Sequence, residues 1–144
     1  MTGTYEKILE RLKRLEREVE RLKVKESPGA WLDWTPTQTG WTALPLGVYR
    51  YCRVGKLVIA IIYMADGSSN ATNAVLSLPI QAAAYLYVNG FIGAADSGMN
   101  LSPPGFWTIE GGATEINFYK DATGANWTAS GTKLVNGVII YEAA

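Results

Sequence analysis

The chain contains no histidine and one cysteine, Cys52. The missing histidines remove the commonest general base and the commonest metal ligand. A single cysteine excludes an intrachain disulfide. Its place in a strand pattern beside Val48 and Val54 makes it a buried thiol. No uninterrupted apolar run is long enough to span a bilayer, and the N-terminus is charged, so neither a transmembrane helix nor a signal peptide is expected. Charge is scarce over most of the chain. Residues 1–26 hold 14 of the 26 charged side chains, and the 118 that follow hold only 12. No basic stripe lies outside the N-terminal stretch, which gives nucleic-acid binding little support.

The first 26 residues and the rest have different characters, and Ser27-Pro28-Gly29 ends the helical pattern between them. The expected division is a helical unit over 1–26, a linker over 27–30 and a head over 31–144. In the first unit, Tyr5, Ile8, Leu12, Leu15, Val19 and Leu22 alternate at spacings of three and four. That is a heptad seam, with Tyr5, Leu12 and Val19 at a and Ile8, Leu15 and Leu22 at d. Nearly every other residue from Glu6 to Glu26 is Lys, Arg or Glu. A stripe this narrow calls for other helices, and copies of the same chain are the simplest source. Arg11 and Glu18 fall at g, Glu16 and Lys23 at e. In a parallel bundle Arg11 meets Glu16 of the neighbour and Glu18 meets Lys23, both attractive. Each exposed pair is worth about 0–1 kcal/mol, so the charges select orientation while apolar burial supplies affinity.

The stretch RLKRLE, residues 11–16, resembles the Arg-hydrophobic-x-x-hydrophobic-Glu signature of short trimeric coiled coils. In that geometry the Arg stem covers the seam while its guanidinium reaches the Glu. The implied trimerisation residues are Ile8, Arg11, Leu12, Leu15, Glu16, Val19 and Leu22. The expected assembly is a parallel homotrimer about 34 Å long for some 23 helical residues.

The remainder reads as all-β. Strands are expected over 48–54 and 56–64 around a turn at Gly55, then over 74–80, 83–88, 91–95, 106–110, 114–119, 132–135 and 138–142. Asn89-Gly90 and Asn136-Gly137 are read as hairpin turns. Many short strands with no helical pattern predict a β-sandwich, jelly-roll-like. Residues 57–64 are apolar on both faces: Leu57, Ile59, Ile61 and Tyr63 on one, Val58, Ala60, Ile62 and Met64 on the other. One face should fill the core and the other should pack on neighbouring protomers around a threefold axis.

Several features of 31–142 resemble the tail-fibre and receptor-binding proteins of tailed bacteriophages. They are Trp34-Thr-Pro-Thr-x-Thr-Gly40, Gly55-Lys56 before an apolar strand, Gly67-Ser-Ser-Asn-x-Thr72 and Leu78-Pro79. The later pieces are Gly111-Gly112, Ile116-Asn-Phe-Tyr119, Asn126-Trp-Thr-x-Ser-Gly131 and Gly137-x-Ile-x-Tyr-Glu142. The resemblance implies a trimeric β-head, often recognising a cell-surface saccharide, on a virion protein made in the host cytoplasm. It implies other virion tail proteins as partners, and a purely structural tail role without a ligand as the alternative. A secreted trimeric signalling head is a third reading, which the lack of a signal peptide disfavours.

Aromatic rings can stack on sugar rings while Asn, Asp and Ser bond the hydroxyls. The ligand-contact candidates are Trp31, Trp34, Trp41, Asp66, Asn70, Trp107, Tyr119, Asn126 and Trp127, with Ser69 and Asn73 nearby. Buried roles in core or interface compete for every aromatic. Glu110, Glu115 and Asp121 are the nearest grouping of acids, but a glycosidase needs two facing carboxylates and the sequence shows no pairing. Asp66-Gly67-Ser68-Ser69-Asn70 lacks the glycine placement and closing Glu of a calcium loop. No catalytic residue, metal or cofactor is expected.

Overall fold

The computed structural model describes residues 2–25 and 29–144, with side chains over 5–19 and 29–144. The chain forms two compact units, Met1–Ala30 and Trp31–Ala144. Part of the predicted 27–30 linker, Ser27 and Pro28, lies outside the described residues, as does Glu26 at the end of the predicted coil.

The first unit is one helix, α1 (Thr2–Lys25). Leu, Lys, Arg and Glu are strong helix formers and fill most of it. Its described seam residues Tyr5, Ile8, Leu12, Leu15 and Val19 are between 47% and 70% exposed in the single chain. The side chain of Leu22 lies outside the described residues.

The second unit is a curled antiparallel sheet, so the chain is mainly β, as expected. Its strands are β1 (Leu32–Asp33), β2 (Gln38–Thr39), β3 (Gly47–Val54), β4 (Leu57–Met64), β5 (Gly67–Ser68) and β6 (Val75–Ser77). Then follow β7 (Val88–Asp96), β8 (Met99–Asn100), β9 (Gly105–Ile109), β10 (Glu115–Tyr119) and β11 (Thr132–Glu142). One hydrogen-bonded path runs β1-β3-β4-β11-β7-β9-β10-β6-β2, with β5 on β11 and β8 on β7.

The curl comes from β7, which changes partner halfway. Val88–Ile92 pair with β9, and Gly93–Asp96 pair with β11. The switch falls at Gly93, where a Cβ would come within 3.0 Å of the Asn136 carbonyl oxygen. Strands that pass between sheet sections commonly bend at such glycines. The inner faces of both halves then share one core. Val58, Ile62 and Ile139 come from one half, and Leu76, Trp107, Ile109, Ile116 and Phe118 from the other.

The β3–β4 hairpin turns at Gly55-Lys56, and Gly55 has φ +61°, as a glycine-first two-residue turn requires. Both expected Asn-Gly hairpins are absent. Asn89-Gly90 lies inside β7 and Asn136-Gly137 inside β11. Their glycines serve close packing rather than turning. A Cβ on Gly90 would sit 3.0 Å from the Trp107 indole, and one on Gly137 would sit 2.9 Å from Ile92 Cγ1. Asn136 Oδ1 accepts the Met64 N–H at 2.6 Å, where β11 changes from pairing β7 to pairing β4.

The predicted strand over 83–88 is a turn up to Leu86, whose N–H donates to the Ala83 carbonyl at 3.1 Å. A two-residue turn at Ser97-Gly98, both at positive φ (52° and 76°), joins β7 to β8 and has no Asn-Gly at all.

Candidate functional site

β4 resolves its two apolar faces in opposite ways. Val58, Ala60, Ile62 and Met64 are buried at 1% exposure or less, while Leu57 and Tyr63 are exposed and Ile59 and Ile61 are half-buried. Strand register extends the outer face across β3 and β11. Arg50 lies opposite Ile61 and Ile61 opposite Val138. Cys52 lies opposite Ile59 and Ile59 opposite Ile140. Val48 beside Tyr63 and Val54 beside Leu57 complete the face. Ion pairs stand at its margins: Arg50–Asp33 at 3.2 Å and Lys56–Glu142 at 3.8 Å. Cys52 sits among these side chains as a buried free thiol.

The ligand-contact candidates fall in different places. Trp41, Trp107 and Trp127 are core residues at 5% exposure or less and offer no ring face to a ligand, so they are removed from the candidate set. The Trp41 indole N–H donates to the Lys133 carbonyl at 3.0 Å, and that of Trp127 to the Phe118 carbonyl at 2.9 Å. Trp31 is exposed near β1, and Trp34 packs edge-on against Tyr49 with ring centroids 6.1 Å apart. Asp66 is exposed beside β5.

Asn70 and Asn126 are exposed on two loops that hydrogen bonds tie together. Trp127 N–H donates to the Thr72 carbonyl at 2.9 Å, and Ser69 Oγ donates to the Thr128 carbonyl at 2.5 Å. Asn70 Nδ2 donates to the Trp41 carbonyl at 3.0 Å, so its amide is partly committed to the fold. Tyr119 ends β10 opposite Phe106 of β9, directly before the loop that carries Asn126, where Lys120 N–H donates to the Ala125 carbonyl at 3.0 Å.

Beneath the loop pair lies a group that the sequence reading passed over. Lys133 is fully buried on the inner face of β11. Its ammonium donates to the Ala71 and Asn73 carbonyls, each at 2.7 Å, and lies 5.4 and 5.9 Å from the ring centroids of Trp41 and Trp127. Burial pushes its pKa down to about 8, against the opposing pull of Asp96. The strict alternation of Lys133, Val135, Ile139 and Tyr141 along β11 was the sequence cue that it points inward.

Asp96 Oδ2 receives Lys120 Nζ at 2.8 Å and Thr128 Oγ1 at 2.7 Å. Burial raises the carboxyl's pKa, but the bonds from Lys120 and Thr128 and the Lys120 charge outweigh it, and the net shift is downward. These groups pin the loops. Among the described residues no cluster of three or more Cys, Asp or Glu is placed to hold a metal ion. No described helix is long and apolar enough to cross a membrane. Comparison with protein-family models, with curated proteins and with solved structures gave no match to this chain.

Proposed function

We propose that the chain is a non-enzymatic, self-associating recognition module: a homotrimer whose parallel coiled coil carries a jelly-roll-like head. One observation carries this reading. Two separate elements, the seam of α1 and the outer face of β3-β4-β11, are both apolar and exposed in the single chain. Burying a Val, Leu or Ile side chain fully gives about 1.5–3 kcal/mol, or roughly 60–120 Å² at 25 cal/mol per Å². The half-covered outer face therefore offers roughly 300–500 Å². That reaches the size of a functional patch but falls short of the ~800 Å² per partner of a standard interface. The seam of α1 supplies the remainder. Parallel pairing of Arg11 with Glu16 across the seam sets the orientation.

The resemblance to tail-fibre proteins gives the module a place: the tip of a phage tail fibre or baseplate, where trimerisation turns weak saccharide contacts into useful avidity. The curl, with two halves facing each other across one core, supports the jelly-roll-like description. A structural tail protein without a ligand is the second reading, and the commitment of Asn70 and three of the tryptophans to the fold favours it.

Light scattering on a sizing column tests the assembly. A mass near three times 15.7 kDa is expected, and a monomer would overturn the proposal. Saturable binding to host envelopes, competed by free glycan, is the adhesin outcome. Binding to no host envelope favours the structural reading, and release of reducing sugar would sink the non-enzymatic one.

A further inference from the structure

We infer that the outer face of β7-β9-β10 is a binding platform for a neutral saccharide, in a place that neither loop pair nor interface occupies. This rests on the recognition reading above and names its site. Register builds the platform as two rows. Phe91, Phe106 and Tyr119 are consecutive cross-strand partners, and so are Asn89, Thr108 and Asn117. Their strand neighbours Ile92, Trp107, Ile109, Ile116 and Phe118 point inward and are buried, so the two rows share the outer face.

The rows differ in chemistry. In the first, Phe91 is 62% exposed and meets Phe106 edge to face, centroids 5.7 Å apart at 65°, which makes a shallow corner rather than a flat shelf. In the second, the exposed Asn89 and half-buried Asn117 amides supply both donors and acceptors, and Thr108 between them is buried at 7% exposure. Among the described residues, none of the four polar side chains, Asn89, Thr108, Asn117 and Tyr119, is committed to a side-chain hydrogen bond elsewhere in the fold. The rows lie two residues apart along the strands, about 6.7 Å. A sugar ring resting on the aromatic row can therefore place its hydroxyls over the amide row.

Charge narrows the ligand. β6, β7, β9 and β10 contain no Lys or Arg, and Glu115 opens β10 two residues from Asn117 on the same face. An anionic saccharide would meet the Glu115 carboxylate, and Lys120, which follows Tyr119, is already paired with Asp96 at 2.8 Å, whereas a neutral one would meet no opposing charge. The contrast with β3-β4-β11 is direct. That face is mainly aliphatic, with Tyr63 and Arg50 beside it, and suits permanent contact with another protomer, while this one mixes aromatic and amide groups and suits a hydroxylated ring.

The test titrates the whole chain with neutral hexose and N-acetylhexosamine oligosaccharides, and in parallel with uronic-acid oligosaccharides. Side-chain amide resonances, assigned by Asn89→Asp and Asn117→Asp, are followed by NMR. The neutral set is expected to shift those two amides. Phe91→Ala combined with Asn117→Ala should weaken binding at least tenfold, with solution mass and the fluorescence of the buried tryptophans unchanged. Neutral binding that survives both substitutions would overturn this platform and leave the recognition reading standing. Preference for the uronic set, or a change of mass in the double variant, would also overturn it. Failure of every saccharide to bind would remove the platform and the recognition reading together.

Discussion

Raising the pH from 7 to 11 should move the stability of the head through a maximum near pH 10, and Lys133 is the cause of the rise. Its pKa falls from 10.5 to about 8 on folding. Between those values the unfolded chain binds a proton that the folded chain does not, so stability rises with pH across the window. The cost of burying the ammonium is present in full below pH 8 and is relieved above it. The limiting slope is one proton, about 1.4 kcal/mol per pH unit.

Tyr49 and Tyr141 act in the opposite direction. Burial raises both phenols from 10.0 to about 12, and each donates a hydrogen bond at 2.7 Å, to the Pro45 and Ile80 carbonyls. Above pH 10 the unfolded chain loses two protons that the folded chain keeps, and stability falls at up to twice that slope. From pH 8 to 10 Lys133 alone contributes about 2 kcal/mol, and the onset of the tyrosine term cuts the net gain to about 1–2 kcal/mol. Asp96, with its pKa lowered from 3.8, contributes stability above that value and loses it as pH falls through its folded pKa, outside this window.

The assay is urea unfolding read from the emission wavelength of the buried tryptophans. Protein concentration is held fixed, because self-association would otherwise shift the midpoint. Lys133→Met should remove the rising limb and keep the fall above pH 10. Its baseline moves for other reasons, since the Ala71 and Asn73 carbonyls lose their donor. A flat profile from pH 8 to 10 in the unaltered chain, or a rise that persists in the variant, would refute the reasoning.

Two substitutions test the backbone reading. Gly40→Ala should cost about 3 kcal/mol or more, because φ is +103° and the new Cβ strikes the Asn73 carbonyl. Gly55→Ala, at φ +61° with open space around it, should cost about 1 kcal/mol. Equal midpoints for the two in urea unfolding would contradict this. Asn136→Leu should cost about 1–3 kcal/mol by stranding the Met64 N–H, and an unchanged midpoint would show that this bond does not hold the β4–β11 junction.

Local pattern was legible where local physics decides. The heptad spacing of Tyr5, Ile8, Leu12, Leu15 and Val19 and the formers between them specify a helix with one apolar stripe. The β-branched apolar run 57–64, with Gly55 ahead of it, specifies the β3–β4 hairpin. Turn chemistry was legible only in part. Asn-Gly is permissive of a positive φ but does not compel it. At Gly90 and Gly137 the demand for space by Trp107 and Ile92 decides instead, and those residues lie far off in sequence.

The same limit governs the site. Sequence alone established that this chain has few charges outside its helix, one buried thiol, aromatic-rich β-strands and more apolar faces than one core absorbs. Burial of Trp41, Trp107 and Trp127, and enclosure of Lys133 between two of them, depend on which strands meet across the core. So does the alignment of Phe91, Phe106 and Tyr119 from three strands into one row. A two-residue period says that a side chain points to one of two faces. Only the register between strands, set by the whole curled sheet, says which side chains stand beside it.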